Sequence, residues 1–210
     1  MSENSGISGD GLIVVVSGPS GTGKDTVIEE ILKKNKGICV SVSMTTRNPR
    51  TCEKNGKNYH FLSEESFKEK VRMGEMIEHA KYCGNYYGTS LDFVKEKIKN
   101  GIDVLLKIEV KGARQIRKNC PDAIHIFILP PSMKELSRRL KNRQTESEKG
   151  FEKRIKTASE EIASAKDYDY IVINKDKDVC AKDICSIIYS EKLKTSRVRS
   201  KTDVIIREIF

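Results

Sequence analysis

Nowhere in its 210 residues does the chain hold an apolar run approaching the ~20 residues that cross a bilayer as a helix. Residues Met1 to Asp10 carry neither the basic cluster nor the apolar stretch of a secretory leader, so a cytoplasmic protein without a membrane partner is expected. The six cysteines, Cys39, Cys52, Cys83, Cys120, Cys180 and Cys185, form no CxxC pair and have no histidine partners at metal-ligand spacing. They read as free thiols, which argues against a zinc site or a disulfide network. No internal repeat or low-complexity linker divides the sequence. What is left is a length suited to one α/β domain with insertions, and 37% hydrophobic residues to build its core.

Charge is plentiful and mixed. The formal net charge is +9, from 39 Lys and Arg against 30 Asp and Glu. The basic residues are interleaved with the acids and are not gathered with exposed aromatics, so no specific nucleic-acid partner is expected. An anionic small-molecule substrate accounts for part of the excess.

The segment Gly18-Pro19-Ser20-Gly21-Thr22-Gly23-Lys24 carries the first chemistry. It follows the apolar run Leu12 to Val16 and opens an amphipathic helix, which is the context a phosphate-binding loop requires. Glycines let successive N–H groups converge on an anion, the helix adds its positive end, and Lys24 reaches the outer phosphates. The expected ligand is a nucleoside triphosphate with magnesium. The motif departs from its pattern at one place: Asp25, then Thr26, stand where a Ser or Thr directly after the lysine would hold magnesium. Asp25 can hold the ion directly or through water, and a carboxylate suits a helix N-terminus.

Apolar periodicity predicts strand 12–17, helix 24–35 with Val27, Ile28, Ile31 and Leu32 as its inner stripe, and a helix through Phe93 to Ile98. A strand at Val104 to Leu106, a helix over 112–118 and a strand over Ile124 to Leu129 follow. A charged helical stretch over 132–165, a strand at Tyr170 to Ile173 and a helix over 179–192 complete the pattern. Strands separated by helices imply a parallel sheet covered on both faces, with ligands at the carboxyl ends of the strands. The segment from Ser41 to Thr89 reads as polar, aromatic and rich in turns. The basic tail from Lys192 to Lys201 is expected to be mobile, while residues 203–210 have the apolar content to pair or pack.

Within that polar segment, Arg47 and Arg50 lie three residues apart beside hydroxyls, and Tyr59 follows. Arginine forks suit a doubly charged phosphate, and a tyrosine hydroxyl can complete its shell. The stretches SGPSGTGK, SVSMTTRNPR, NGKNYHFL, IEHAKYCGNYYGTS and RLKNRQTES occur in this order. Together they resemble the guanylate kinases, P-loop nucleoside monophosphate kinases that phosphorylate GMP, and the resemblance runs from about residue 11 to 190.

The resemblance implies a P-loop-type parallel sheet flanked by helices, with a GMP-binding insertion and a helical lid. Its expected parts are a core over about 11–40, 99–135 and 161–190, a GMP-binding region over about 41–98, and a lid over about 136–160. Residues 1–10 are expected to be disordered and 191–210 to form the basic tail. The implied reaction takes ATP with magnesium as donor and GMP, with dGMP, as acceptor. By motif, Arg47, Arg50, Tyr59 and Tyr87 would hold the GMP phosphate, while Ser43, Glu78 and Thr89 would read guanine. Lys24, Arg47 and the lid residues Arg139, Arg143 and Arg154 would carry charge in catalysis. Gly18 to Thr26 and Asn174 would bind ATP, Glu109 would lie near GMP, and Asp25 and Glu109 would serve magnesium.

Residue chemistry agrees with the base assignment, because guanine offers two adjacent donors that suit a carboxylate such as Glu78. Taken without the resemblance, Glu78 reads as a surface carboxylate on a helix. Two other readings stay open: a non-catalytic binding module of the same fold, and a kinase acting on a sugar phosphate. The first does not call for the retained Gly18, Gly23 and Lys24, and the second gives no reason for Ser43, Glu78 and Thr89. Oligomeric state is left open. Lys107 stands where the family carries an acid, and strand alternation places residues 107 and 109 on one face. The expectation is that Lys107 pairs with Glu109 or contacts a phosphate.

Overall fold

Five consecutive buried residues, Ile13–Ser17, form strand β1. Such a run suits a central parallel strand, where both faces are covered. The structure, a computed structural model, describes residues 10–82, 84–141 and 148–198. Around β1 the main sheet is built from β2 (Ile38–Val40), β7 (Asp103–Lys107), β8 (Ile124–Leu129) and β9 (Tyr170–Ile173), in the order β2-β7-β1-β8-β9. Every neighbouring pair is parallel.

Alternation along β1 divides the core in two. Val14 and Val16 pack with Val27, Ile28 and Ile31 of α1 (Lys24–Lys34) and with Ile184 and Ile188 of α7 (Lys177–Lys192). Ile13 and Val15 pack on the other face with Val94 and Ile98 of α3 (Leu91–Lys99) and Ala113 and Ile116 of α4 (Val110–Asn119). Each buried aliphatic side chain contributes roughly 1.5–3 kcal/mol relative to exposure. These two layers therefore fix the sheet that presents the phosphate loop at the carboxyl end of β1.

The segment over 41–90 is more ordered than its composition suggests. It forms a second sheet, β4-β3-β6-β5, from β3 (Met44–Thr45), β4 (His60–Phe61), β5 (Met76–Tyr82) and β6 (Asn85–Ser90). Helix α2 (Glu64–Arg72) lies between β4 and β5, with the Ser63 hydroxyl accepting the Ser66 N–H at its start. Phe67 of α2 is fully buried and stacks on Tyr86 with ring centroids 5.5 Å apart.

The charged stretch after β8 breaks into α5 (Met133–Lys141), α6 (Glu148–Ala163) and a short 3-10 turn, Ser164–Asp167. Leu136, Leu140 and Ala158 give α5 and α6 a small core of their own. Beyond α7, the segment expected to be mobile is tied back at its start. Lys192 pairs with the buried Asp103 at 2.8 Å, Lys194 pairs with the buried Glu191 at 2.5 Å, and Arg197 donates to the Asp122 carbonyl at 2.8 Å. Buried carboxylates need such partners. Residues 1–9 and 199–210, for which disorder and a tail able to pack are expected, lie outside the described residues. Cys39, Cys52, Cys120, Cys180 and Cys185 are not joined in disulfides, and Cys83 lies outside the described residues.

Candidate active site

The loop from Gly18 to Gly23 can be glycine-rich for a measurable reason. Gly18 has φ 149° and packs so closely on β8 that a Cβ would lie 2.3 Å from the Ile128 carbonyl oxygen. Gly23 has φ 86°, and a Cβ there would meet the Asn174 amide nitrogen at 2.7 Å. Asn174, buried just after β9, donates from that nitrogen to the Thr22 carbonyl at 2.7 Å. The Thr22 hydroxyl donates to the Pro19 carbonyl at 2.9 Å, and the Thr26 hydroxyl to the Gly23 carbonyl at 2.8 Å. Lys24 turns back into the loop, donating from Nζ to the Gly18 carbonyl and, at 3.0 Å, to the Pro19 carbonyl. Burial lowers its pKa, against the pull of Glu109, Glu161 and Asp25.

Arginines from the α5–α6 region reach this loop. Arg154 donates to the Ser20 hydroxyl at 2.8 Å. Arg139 donates to the carbonyls of Thr22 at 3.3 Å and Asn174 at 3.4 Å, and its Nε is held by Glu135 at 2.8 Å. Gly21 rests against Leu136 and Leu140. A cleft of about 300 Å³ opens here between Gly21, Gly23, Thr26, Arg139, Asn174, Lys175 and Lys177. Arg143 lies outside the described residues.

Across the carboxyl ends of β1 and β7 stands the second sheet. Tyr59 and Tyr87 meet edge-on with centroids 6.0 Å apart, and the Arg47 guanidinium lies 5.4 Å from the centre of the Tyr59 ring. Arg47 forks onto Glu53 at 2.8 and 2.9 Å and is also hydrogen-bonded to Tyr87. Glu53 accepts the Arg50 N–H at 2.8 Å as well, while the Arg50 residue is exposed. The Arg47 hydrogen bond holds the Glu53 carboxyl below its usual pKa. Ser43 is half-buried just before β3, and its carbonyl accepts the His60 N–H at 2.9 Å.

Glu78 differs most from its isolated reading. It lies on strand β5, not on a helix, and only 3% of it is exposed. Its cross-strand partner is the fully buried Thr89, whose hydroxyl donates to Glu78 Oε1 at 2.7 Å. Burial pushes the Glu78 carboxyl up to about 7; the Thr89 hydrogen bond opposes that rise and the nearby Glu109 charge adds to it.

Lys107 and Glu109 do not share a strand face. Strand β7 ends at Lys107, and Glu109 begins α4 as its N-cap residue, with φ −77° and ψ 163°. Lys107 pairs with Asp25 instead, Nζ to Oδ1 at 2.5 Å, and lies 5.8 Å from the Tyr59 ring centre. Glu109 faces Glu161 of α6, to which it is hydrogen-bonded. Burial and the Glu109 charge raise Glu161 to about 8, against the pull of Lys24. Glu53 and Glu161 were not singled out from the sequence. Each sits in a charged stretch where nothing but a three-dimensional neighbour distinguishes it from solvated carboxylates.

A parallel sheet of this order, with a glycine-built phosphate loop leaving its central strand, defines a P-loop nucleotide-binding α/β protein. A family model for guanylate kinase matches residues 11–191. The chain belongs to the guanylate kinase family. It is 50% identical over 190 residues to a guanylate kinase of Clostridioides difficile (strain 630), covering 90% of this chain and 93% of that one. A guanylate kinase of Prochlorococcus marinus subsp. pastoris is 48% identical over 178 residues, covering 85% of this chain and 97% of that one. The crystal structure of guanylate kinase from Anaplasma phagocytophilum matches with a TM-score of 0.76 and 36% identity, over 90% of each chain.

Proposed function

We propose that the chain is a guanylate kinase that transfers the γ-phosphoryl group of ATP to GMP, and to dGMP, giving ADP and GDP in purine nucleotide metabolism. The observation that carries the acceptor assignment is the buried Glu78–Thr89 pair on the sheet facing the phosphate loop. An ionised Glu78 accepts from guanine N1–H and the 2-amino group, and Thr89 and Ser43 supply hydroxyls near O6. Adenine presents the reverse pattern and would leave these buried groups unpaired.

Gly18 to Gly23 bind the ATP phosphates through backbone N–H groups, and Asn174 lies toward the base. Lys24 leaves the carbonyls of Gly18 and Pro19 to meet the outer phosphates. Arg47, Arg50, Tyr59 and Tyr87 hold the GMP phosphate, for which Arg47 must release Glu53. Arg139, Arg154 and Arg143 add positive charge from the lid over about 136–160, while residues 41–98 form the GMP-binding region. No general base is needed, since the attacking oxygen belongs to an ionised phosphate. Catalysis is alignment, water exclusion and charge compensation of the transferring group.

Magnesium comes with ATP as part of the donor and supplies charge neutralisation on the phosphates. Asp25 and Glu109 are the carboxylates assigned to it. Among the described residues no group of three or more His, Cys, Asp or Glu side chains gathers as a metal cage. No described helix is long and apolar enough to cross a membrane, and the proposed compartment is the cytoplasm. An ADP-coupled assay offering GMP, AMP, UMP or a ribose phosphate tests the reading. Efficient turnover with GMP alone is expected, and preference for the ribose phosphate would replace it with the sugar-phosphate kinase.

A further inference from the structure

Strand β5, which carries Glu78, is an edge of the second sheet, with β6 as its one strand neighbour among the described residues. Its other side is met by helix α4 of the main domain. Gln115 takes the place of a neighbouring strand there. Its Oε1 accepts the His79 N–H at 3.1 Å, and its Nε2 donates to the His79 carbonyl at 2.5 Å. Asn119 adds a longer bond, from Nδ2 to the Ile77 carbonyl at 3.4 Å. The backbone on both sides of Glu78 is thus tied to one helix.

One turn before Gln115, and on the same side of α4, comes the buried Gly112. Its φ is not positive, so no special backbone conformation calls for glycine, which is a poor helix former. The reason lies in the space. A Cβ at residue 112 would stand 2.2 Å from Glu78 Oε2 and 3.1 Å from its Cδ. One carboxylate oxygen fills the volume of the missing side chain while the other accepts from Thr89 at 2.7 Å. With 3% exposure, Glu78 has little room to swing aside.

We propose that Gly112 and Gln115 are positioning residues for base recognition: α4 sets the depth and direction at which the Glu78 carboxylate meets the acceptor base. The inference rests on the reading of Glu78 as the group that binds guanine N1–H and its 2-amino group. A methyl group at residue 112 forces one of two changes. Either the carboxylate leaves Thr89, or α4 backs away and pulls on the Gln115 pair with His79. Both misplace two acceptor oxygens that must be met by two donors of fixed spacing, while the phosphate loop keeps the backbone contacts with β8 and Asn174 that hold it.

The test is steady-state kinetics of the full chain with GMP and with IMP, which lacks the 2-amino group, at varied ATP. Gly112→Ala should raise KM for GMP at least about tenfold and narrow the preference for GMP over IMP, with KM for ATP changed by less than about twofold. Gln115→Ala should move the same constants in the same direction by a smaller factor, and it serves alone if Gly112→Ala does not fold. Displacing the carboxylate from its buried seat should also lower the pH midpoint of GMP binding, a change that general loosening of the helix would not produce. In a Glu78→Ala background, Gly112→Ala should no longer affect GMP selectivity. Equal losses in both backgrounds, or unchanged KM and selectivity in both α4 variants, would overturn the proposal. Glu78→Gln, measured alongside, separates the two levels: unchanged GMP over IMP preference there would reject the reading of Glu78 itself.

Discussion

Lys107 Nζ lies 2.5 Å from Asp25 Oδ1, joining the carboxyl end of β7 to the first turn of α1. The Asp25 side chain is 66% exposed, so the pair adds little to stability and belongs to the site's charge arrangement. Lys107 pairs with Asp25, and under the proposed function it would stand as a cation beside the reacting phosphates once a nucleotide binds. Lys107→Ala should therefore raise KM for a nucleotide about three- to tenfold while shifting the melting temperature by less than about 2 °C. Glu109→Ala should cost more activity than Lys107→Ala. Fully active Glu109→Ala enzyme would contradict this account of the two residues.

Lys24→Ala should lower kcat by at least about a thousandfold with the fold intact, since Lys24 holds loop carbonyls and phosphate charge and lies outside both main hydrophobic clusters. Circular dichroism and turnover, measured on one preparation, check this. A folded variant with near-normal kcat would contradict the ATP-site assignment.

The two sheets were not equally legible in the sequence. Strands β1, β7 and β8 announce themselves as apolar runs because they are buried between helices, and the edge strand β9 keeps an apolar sequence although Ile171 and Ile173 are half exposed. The three-residue edge strand β2 and the strands β3 and β4, of two residues each, bury too little to leave a period. Glu78 is marked by its motif and not by pattern, since a buried carboxylate in an alternating strand looks like any outward-facing polar residue. The Lys107–Asp25 pair spans 82 positions. Sequence distance hides it, because only the fold brings the end of β7 beside the first turn of α1.

Glu78 sets a pH dependence whose sign can be worked out. Its native pKa of about 7 lies above the unfolded value of 4.5, so the unfolded chain ionises first. Between these values Glu78 lowers native stability as pH rises, by about 3 kcal/mol in full. Glu78→Gln should gain stability relative to the parent across this window, as measured by denaturant titration at pH 5 and pH 8. Guanine binding favours the ionised carboxylate, so GMP affinity should rise as pH passes through about 7, and calorimetry should detect proton release. A pH-independent difference between the two proteins would contradict this assignment.

His125 acts in the opposite sense. It is 1% exposed on β8, faces Tyr168, Asp169 and Arg117, and burial lowers its pKa to about 4. Below its unfolded value of 6.5 the unfolded chain takes up a proton that the native chain refuses, so stability falls as pH drops from 6.5 toward 4. His125→Phe should remove that part of the acid sensitivity in thermal melts. Identical acid-side slopes for variant and parent would contradict it.

Base selection by a buried carboxylate across from the phosphate loop is the central claim, and one paired measurement tests it most directly. The values of kcat/KM for GMP and for AMP are determined with the parent chain and with Glu78→Gln, at saturating ATP and magnesium and at pH 8. The parent should prefer GMP by at least about 10⁴, and the amide, offering one acceptor and one donor group, should reduce that preference by about a hundredfold or more. Equal discrimination by the two proteins would contradict it.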